Sequence, residues 1–413
     1  MKLFVGIDVS SGKLDVCFLD SNGVILKECS LSNNLFDAYT IKKIVLDLHD
    51  QHHYQNIVIG MESTSVYSQH PATLLHEDQQ LKALGIVNVV VLNPFPIKQY
   101  SRIFDDDKTD KIDALHIAEF LSMGKYKTSI IREEKFAALQ RLTRSRLQLI
   151  SQLTECKMHF LENLYYKCNT LVKELKEDSN SSVFGASLMD ILTDSLSLDE
   201  IASMELEDLA TLLQDKGRGR FKDPQKLAQT IQRAIRNSYR LGDMMQDSVN
   251  TVLAMYAEMI KTLKQQIKTL DKSIERLVKT IPEADCLRSI PGIGPVYAAG
   301  IIAEIGQIDR FDDETKIAKY AGLHWKRKQS GEYESQRTPL TRTGNRYLRY
   351  YLIEAANSVK MREPVYNDYY YKKYHEVPKH QHKRALVLTA RKLVRLVDTL
   401  LRNRQLYALE RSG

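Results

Sequence analysis

The sequence predicts an α/β domain built on a mixed sheet, followed by an all-α remainder in which central coiled-coil helices lead into a basic, mostly helical C-terminal domain. Three observations carry this. Short apolar runs separated by turn residues fill the first hundred positions and alternate with helical stretches. A heptad seam runs from Val249 to Leu277. Finally, His324 to Gly413 hold 20 Lys and Arg against 8 Asp and Glu, whereas the residues before them hold 39 against 44.

At 413 residues the chain has room for two or three domains with separate cores, expected at 1–130, 131–281 and 282–413. A composition of 43% hydrophobic and 27% charged residues is that of a soluble protein, and no apolar run approaches the roughly 18 residues of a membrane span. No membrane partner is expected. Asp8 interrupts MKLFVGIDVS too early for a secretory core, and Cys17, Cys29, Cys156, Cys168 and Cys286 form no CxxC pair. Free thiols in the reducing cytoplasm follow.

Residues 2–9, 14–19 and 23–31 read as a hairpin and a third strand, with Ser11, Gly12 and then Asp20 to Gly23 as turns. A helix from Phe36 to Leu48 comes next. NIVIGMES (Asn56 to Ser63) is a buried-type strand ending in Glu62, and VNVVVLNP (Val87 to Pro94) is another, stopped by proline. DDDKTDKIDALHIAEFL opens a helix expected over Lys108 to Leu121. Helix also covers Phe136 to about Leu175, with a helical insertion at about 176–245.

In the seam Leu253, Ile260, Ile267 and Ile274 occupy a and mostly leucine occupies d, a choice that favours a parallel two-stranded pairing with a second chain. An antiparallel pairing with the helix that starts at Phe136 is the rival. After Pro282, SIPGIGPVYAAGIIAEIG reads as two short helices around a tight turn, a helix-hairpin-helix-like motif. Gly292 and Gly294 would let backbone N–H groups approach a phosphate there, although any αα-turn carries such glycines.

Four carboxylates stand at element ends in the first 120 residues: Asp8, Glu62, Asp110 and Asp113. Taken singly each has an ordinary reading, as a strand-end charge, an N-cap or a first-turn helix acid. Asp110 and Asp113 share a helix face, and aiming that face at the sheet edge gathers all four. Such a cluster repels itself unless it is protonated or holds hard divalent cations.

GIDVSSGKLDV, MESTSVY, NPFPIKQYSRIFDDDKTDKIDA, IPGIGPVYAAGIIAEIGQIDRF, KYAGL, QSG and TRTGNRYLR occur in this order. In that order and spacing the chain resembles the IS110 family of bacterial insertion-sequence transposases, relatives of the Piv and MooV DNA invertases. The resemblance implies an N-terminal RuvC-like (ribonuclease-H-like) domain and a C-terminal transposase domain. It implies that Asp8, Glu62, Asp110 and Asp113 form a metal tetrad for Mg²⁺ or Mn²⁺, and that Ser330 is the nucleophile of a composite site, with Ser335 the nearest competitor. It further implies donor and target DNA as substrates, a non-coding bridge RNA as guide, and a homo-oligomer, a dimer or a tetramer on DNA. Lys13, Lys108, Gly292, Gly294, Lys326, Arg327, Lys328, Arg337, Arg342, Arg346 and Arg349 are the expected nucleic-acid contacts. The chain departs from the family at Ser11, where lysine is frequent, at Ser65, where glycine is common, and in a longer central segment.

Other functions compete. GIDVS also opens sugar kinases and actin-like ATPases, which need a second phosphate loop and a duplicated domain that the sequence lacks. A metal-dependent junction endonuclease would use the acids without the serine. A non-catalytic coiled-coil DNA-binding protein would leave them idle.

Overall fold

A computed structural model describes the chain except residues 64–65, 105–108, 125–130, 179–181, 194–196, 218, 220, 326–328, 331–332, 335–339, 341–342 and 409–413, and the side chains at 186–187, 329–330 and 333–334. The chain divides into two compact units, Met1–Glu133 and Glu134–Gly413.

The first unit holds β1 (Lys2–Val9), β2 (Lys13–Asp20), β3 (Ile25–Ser32), α1 (Leu35–His52), β4 (Asn56–Glu62), α2 (Gln69–Glu77), α3 (Gln79–Ala83), β5 (Val87–Leu92), α4 (Pro94–Ser101) and α5 (Asp110–Ser122). The sheet order is β3-β2-β1-β4-β5, with β1, β2 and β3 antiparallel and β4 and β5 parallel to β1 and to each other. This is the mixed sheet expected of a RuvC-like domain.

Both faces of β1, β2 and β4 are covered, which explains why these strands read as nearly continuous apolar runs, whereas the edge strand β3 alternates and is largely exposed. Leu3, Val5 and Ile7 of β1 and Ile57, Ile59 and Met61 of β4 pack with Ile41, Val45 and Leu75 of α1 and α2. The alternate residues, Phe4, Cys17, Leu19 and Val58, pack against Ala114, Ile117, Ala118 and Leu121 of α5. By the two-residue period of a strand, Asp8, Asp15 and Glu62 fall on the α5 side.

The second unit starts with α6 (Glu134–Lys167), continues through α7 (Leu171–Asp178), α8 (Ala186–Thr193), α9 (Leu198–Ser203), α10 (Leu206–Gly217) and α11 (Pro224–Arg236), and returns along α12 (Asp243–Val278). Arg146 of α6 pairs with Asp271, and His159 stacks on Tyr256, so the two long helices run antiparallel. Val249, Leu253, Ile260 and Leu263 are buried with Cys156, Phe160 and Leu164 of α6 and with α7–α11. The seam is therefore filled from within the chain. The parallel pairing with a second chain gives way to the rival, because α6 presents an apolar face of matching length and the α7–α11 segment returns the chain in the opposite direction.

The last part carries α13 (Glu283–Arg288), α14 (Pro295–Ile305), α15 (Glu314–Ala321), the short strands β6 (Gln329–Ser330) and β7 (Tyr333–Glu334), α16 (Arg346–Val359), α17 (Pro364–His375) and α18 (Gln381–Asn403). α14 is buried from Ala298 to Ile305 and shares one core with α16, α18 and the base of the α6/α12 hairpin. Among the described residues no helix is long and apolar enough to cross a membrane.

Candidate active site

Asp8, Asp15, Asp110 and Asp113 are brought near one another by two local devices. The first is the β1–β2 turn. Ser10 N–H donates to the Lys13 carbonyl at 2.9 Å, and Ser10 Oγ accepts from Lys13 N–H at 3.0 Å. This fixes the register so that Asp8 lies directly opposite Asp15. The second is Gly6. A side chain there would strike the Ala114 carbonyl and the backbone of Ala118, so glycine is what lets α5 lie directly on β1. The first turn of α5 then stands over the end of β1.

Thr109 caps that helix, its Oγ1 accepting from Ile112 N–H at 3.3 Å, which leaves Asp110 and Asp113 in the first turn where the macrodipole favours negative charge. Glu62 follows Met61, the parallel partner of Ile7, just as Asp8 follows Ile7. Near one edge β1 and β4 thus end with one acid each, and α5 begins with two.

The electrostatics follow. Burial, then the charges of Asp113 and Asp110, push the Asp8 carboxyl up to about 6. Lys13 Nζ meets this charge, 2.9 Å from Asp15 Oδ2 and 3.6 Å from Asp110 Oδ2. Its own ammonium is held above the ordinary lysine value, first by the hydrogen bond to Asp15. Asp15 is only 2% exposed, and its Oδ1 is buried without a hydrogen-bond partner.

Among the described residues no group of three or more His, Cys, Asp or Glu stands close enough to hold a metal ion. The donor chemistry nevertheless fits a hard divalent cation: the ligands on offer are carboxylate oxygens, they carry excess negative charge, and an ammonium already sits among them.

Asp15 is the residue that sequence reasoning missed. It stands inside GIDVSSGKLDV, and counting back across the Ser10–Lys13 turn pairs it with Asp8, so the signal was there.

In the second unit Ser330 pairs with Tyr333 in the short β6–β7 ladder, and Trp325 bridges to Leu340 in the same hairpin. The Ser330 side chain lies outside the described residues, as do Ser335, Lys108, Lys326, Arg327, Lys328, Arg337 and Arg342. The base of the hairpin is firmly tied. Asn345 N–H donates to the Tyr320 carbonyl at 2.7 Å, and Arg349 Nη1 donates to the Ala321 carbonyl at 3.2 Å. Asn345 Oδ1 caps α16, and its Nδ2 donates to Glu304 Oε2 at 2.7 Å and Tyr320 Oη at 3.0 Å.

Arg346, by contrast, is exposed at the start of α16 and donates to Tyr347 Oη at 2.9 Å. Gly292 has φ +100°, and a Cβ there would lie 2.8 Å from the Ser358 carbonyl oxygen. Its lack of a side chain is thus accounted for by the close approach of α16. Gly294 is the N-cap of α14 and has open space where a side chain would go.

A Transposase family model of the DEDD IS110 type matches residues 5–166, which contain the carboxylate edge, and a Transposase IS116/IS110/IS902 family model matches residues 284–371, which contain the Ser330 hairpin. The chain is also 25% identical over 416 aligned residues to a 44.8 kDa protein of insertion element IS116 from Streptomyces clavuligerus, an alignment covering 98% of this chain and 96% of the relative. With matching models at both ends and a relative along its whole length, the chain belongs to the IS110/IS116 family of insertion-sequence transposases, enzymes that act on DNA.

Proposed function

We propose that this transposase cuts and rejoins DNA strands at a composite centre in which Asp8, Glu62, Asp110 and Asp113 hold Mg²⁺ or Mn²⁺ and Ser330 is the nucleophile. The observation that supports the metal-binding part of the reading is the placement of Asp8, opposite Asp15 on β2, near Asp110 and Asp113 in the first turn of α5, which Gly6 lets lie directly on β1, since a site that crowds acids is built for a cation or a proton. When bound, the divalent ions would polarise the phosphodiester and neutralise the leaving oxygen.

The residues of the chain do the rest. Ser330 Oγ would attack phosphorus with loss of its proton to a general base and displace one strand end, whose oxygen takes up a proton as it leaves; a second strand end would then attack the serine-linked phosphorus and release the serine hydroxyl. Basic side chains, Arg346 among them, position the backbone. Residues 1–130 serve as the carboxylate domain, 131–281 as the helical coiled-coil region with its insertion at about 176–245, and 282–413 as the serine and DNA-contacting domain. A bridge RNA and a dimeric or tetrameric assembly complete the scheme.

Asp8→Asn is expected to lower recombination in cells by at least about 10³-fold while the purified protein still binds DNA. Recombination near the native level would end the tetrad assignment. Ser330→Ala should form no covalent protein–DNA adduct, and cleavage that persists in that variant would favour a metal-dependent junction endonuclease instead.

A further inference from the structure

We propose that Lys13 is the resident counter-cation of the carboxylate centre, tethered by Asp15 so that it competes with divalent ions for Asp110 and passes to the substrate phosphate once those ions are bound. The inference rests on the reading that the four acids hold divalent ions.

Asp15 carries the argument. A carboxylate that is 2% exposed costs stability unless its oxygens are satisfied, yet among the described residues one oxygen has no hydrogen-bond partner and the other meets an ammonium that is itself half in solvent. Placing it opposite Asp8 adds like-charge repulsion across the strand pair. An acid kept there at a cost on both counts is not a stabilising feature. What it does is hold Lys13.

The geometry of Lys13 supports this. Its backbone is clamped by Ser10, so only the side chain can move. Lys13 and Asp15 are two apart on one strand and share a face, which keeps the ammonium beside Asp15 at 2.9 Å whatever happens across the gap. The second contact, to Asp110, is longer at 3.6 Å and reaches a side chain that is 62% exposed. It is the weaker of the two contacts. Were Asp110 engaged by a divalent ion, this contact would be lost and the Lys13 ammonium would have donors free for another partner. Lysine acts there as a point charge, which suits a non-bridging phosphate oxygen.

The test is Mn²⁺ titration of the full chain, reading free Mn²⁺ by electron paramagnetic resonance, together with strand cleavage. Lys13→Gln should bind Mn²⁺ roughly 3- to 10-fold more tightly, because a competing charge a few ångströms away is gone. The same variant should cleave about 10- to 100-fold more slowly, and Lys13→Arg should restore both values toward native. Because Asp15 acts through Lys13, Asp15→Asn added to Lys13→Gln should cost no further cleavage. Unchanged or weaker Mn²⁺ binding in Lys13→Gln would overturn the proposal, as would cleavage losses that multiply in the double variant. If Asp8→Asn binds Mn²⁺ as tightly as the native chain, the four-acid reading falls instead and takes this inference with it.

Discussion

Asp8 in the first unit and Glu304 in the second are both acids withdrawn from water, and their surroundings differ in kind. Glu304 is fully buried on α14 and receives Arg144 through Nε at 2.6 Å and Nη2 at 2.8 Å, Gln140 Nε2 at 3.0 Å and Asn345 Nδ2 at 2.7 Å. Asp8 sits among Asp15, Asp110 and Asp113, and its proton affinity is raised. One acid is saturated with donors and ties α6, α14 and α16 together; the other is crowded by its own kind. A buried acid with every oxygen satisfied is part of the scaffold, and one held among other acids is kept for something that arrives later.

The contrast is sharpest under the same chemical change, acid to amide, at both places. Glu304→Gln leaves the part-exposed Arg144 guanidinium facing a neutral group at the edge of the core and, after discount for its solvent exposure, should destabilise the fold by about 2 kcal/mol, read from urea melts. Asp8→Asn, in chelator at pH 7.5, should do the reverse. A carboxyl raised from its ordinary value of 3.8 to about 6 is stabilising only while protonated, so the native chain loses stability as pH rises through 6. After discount for a partly exposed group, the gain in Asp8→Asn should be roughly 1–2 kcal/mol above pH 6 and vanish below pH 4. A loss of stability in Asp8→Asn at pH 7.5 would mean that the two acids are alike after all.

A smaller effect divides the two glycines of PGIG along the same line between scaffold and site. Gly292→Ala forces a side chain onto a left-handed backbone and into the Ser358 carbonyl, and should cost about 2–3 kcal/mol. Gly294→Ala meets nothing within 4 Å and should change stability by less than about 0.5 kcal/mol. If α14 receives a phosphate at its N-terminus, Gly294→Ala weakens DNA binding without altering the melt. A large stability loss at Gly294 would remove that separation.

Much of this was legible because an acid at the end of an apolar run is expensive and therefore stands out. Asp8 and Glu62 are visible in GIDV and GMES, and the mixed sheet follows from the alternation of strand and helix after an opening hairpin. The partner of the Val249–Leu277 seam was not legible, since the same heptad serves an antiparallel neighbour such as α6 or a second chain. Gly292 gave a correct signal with an incomplete reason: a glycine marks a close approach without saying whether ligand or helix approaches. Asn345 and Gln140 looked like ordinary polar residues, because the network around Glu304 reaches Gln140 across 164 positions and Asn345 across 41.

The smallest expected effect carries the comparison from acids to cations, at two arginines one helical turn apart. Arg349 donates to the Ala321 carbonyl at the end of α15, and this contact holds the base of the Ser330 hairpin. Arg346 is exposed and meets its neighbour Tyr347 through the hydroxyl and the ring face. A cation committed to a backbone carbonyl is scaffold, whereas one exposed at the surface is the better candidate for phosphate. Arg346→Ala should therefore leave the melt unchanged, weaken binding to duplexes of any sequence by a similar factor, and flatten the log–log salt slope by about 0.9. Arg349→Ala should lower stability by about 1 kcal/mol as the Ala321 carbonyl loses its donor. The deciding measurement is the pair of salt titrations. Equal slope changes in the two variants would show that Arg349 also reaches DNA, and that a committed donor does not exclude a working one.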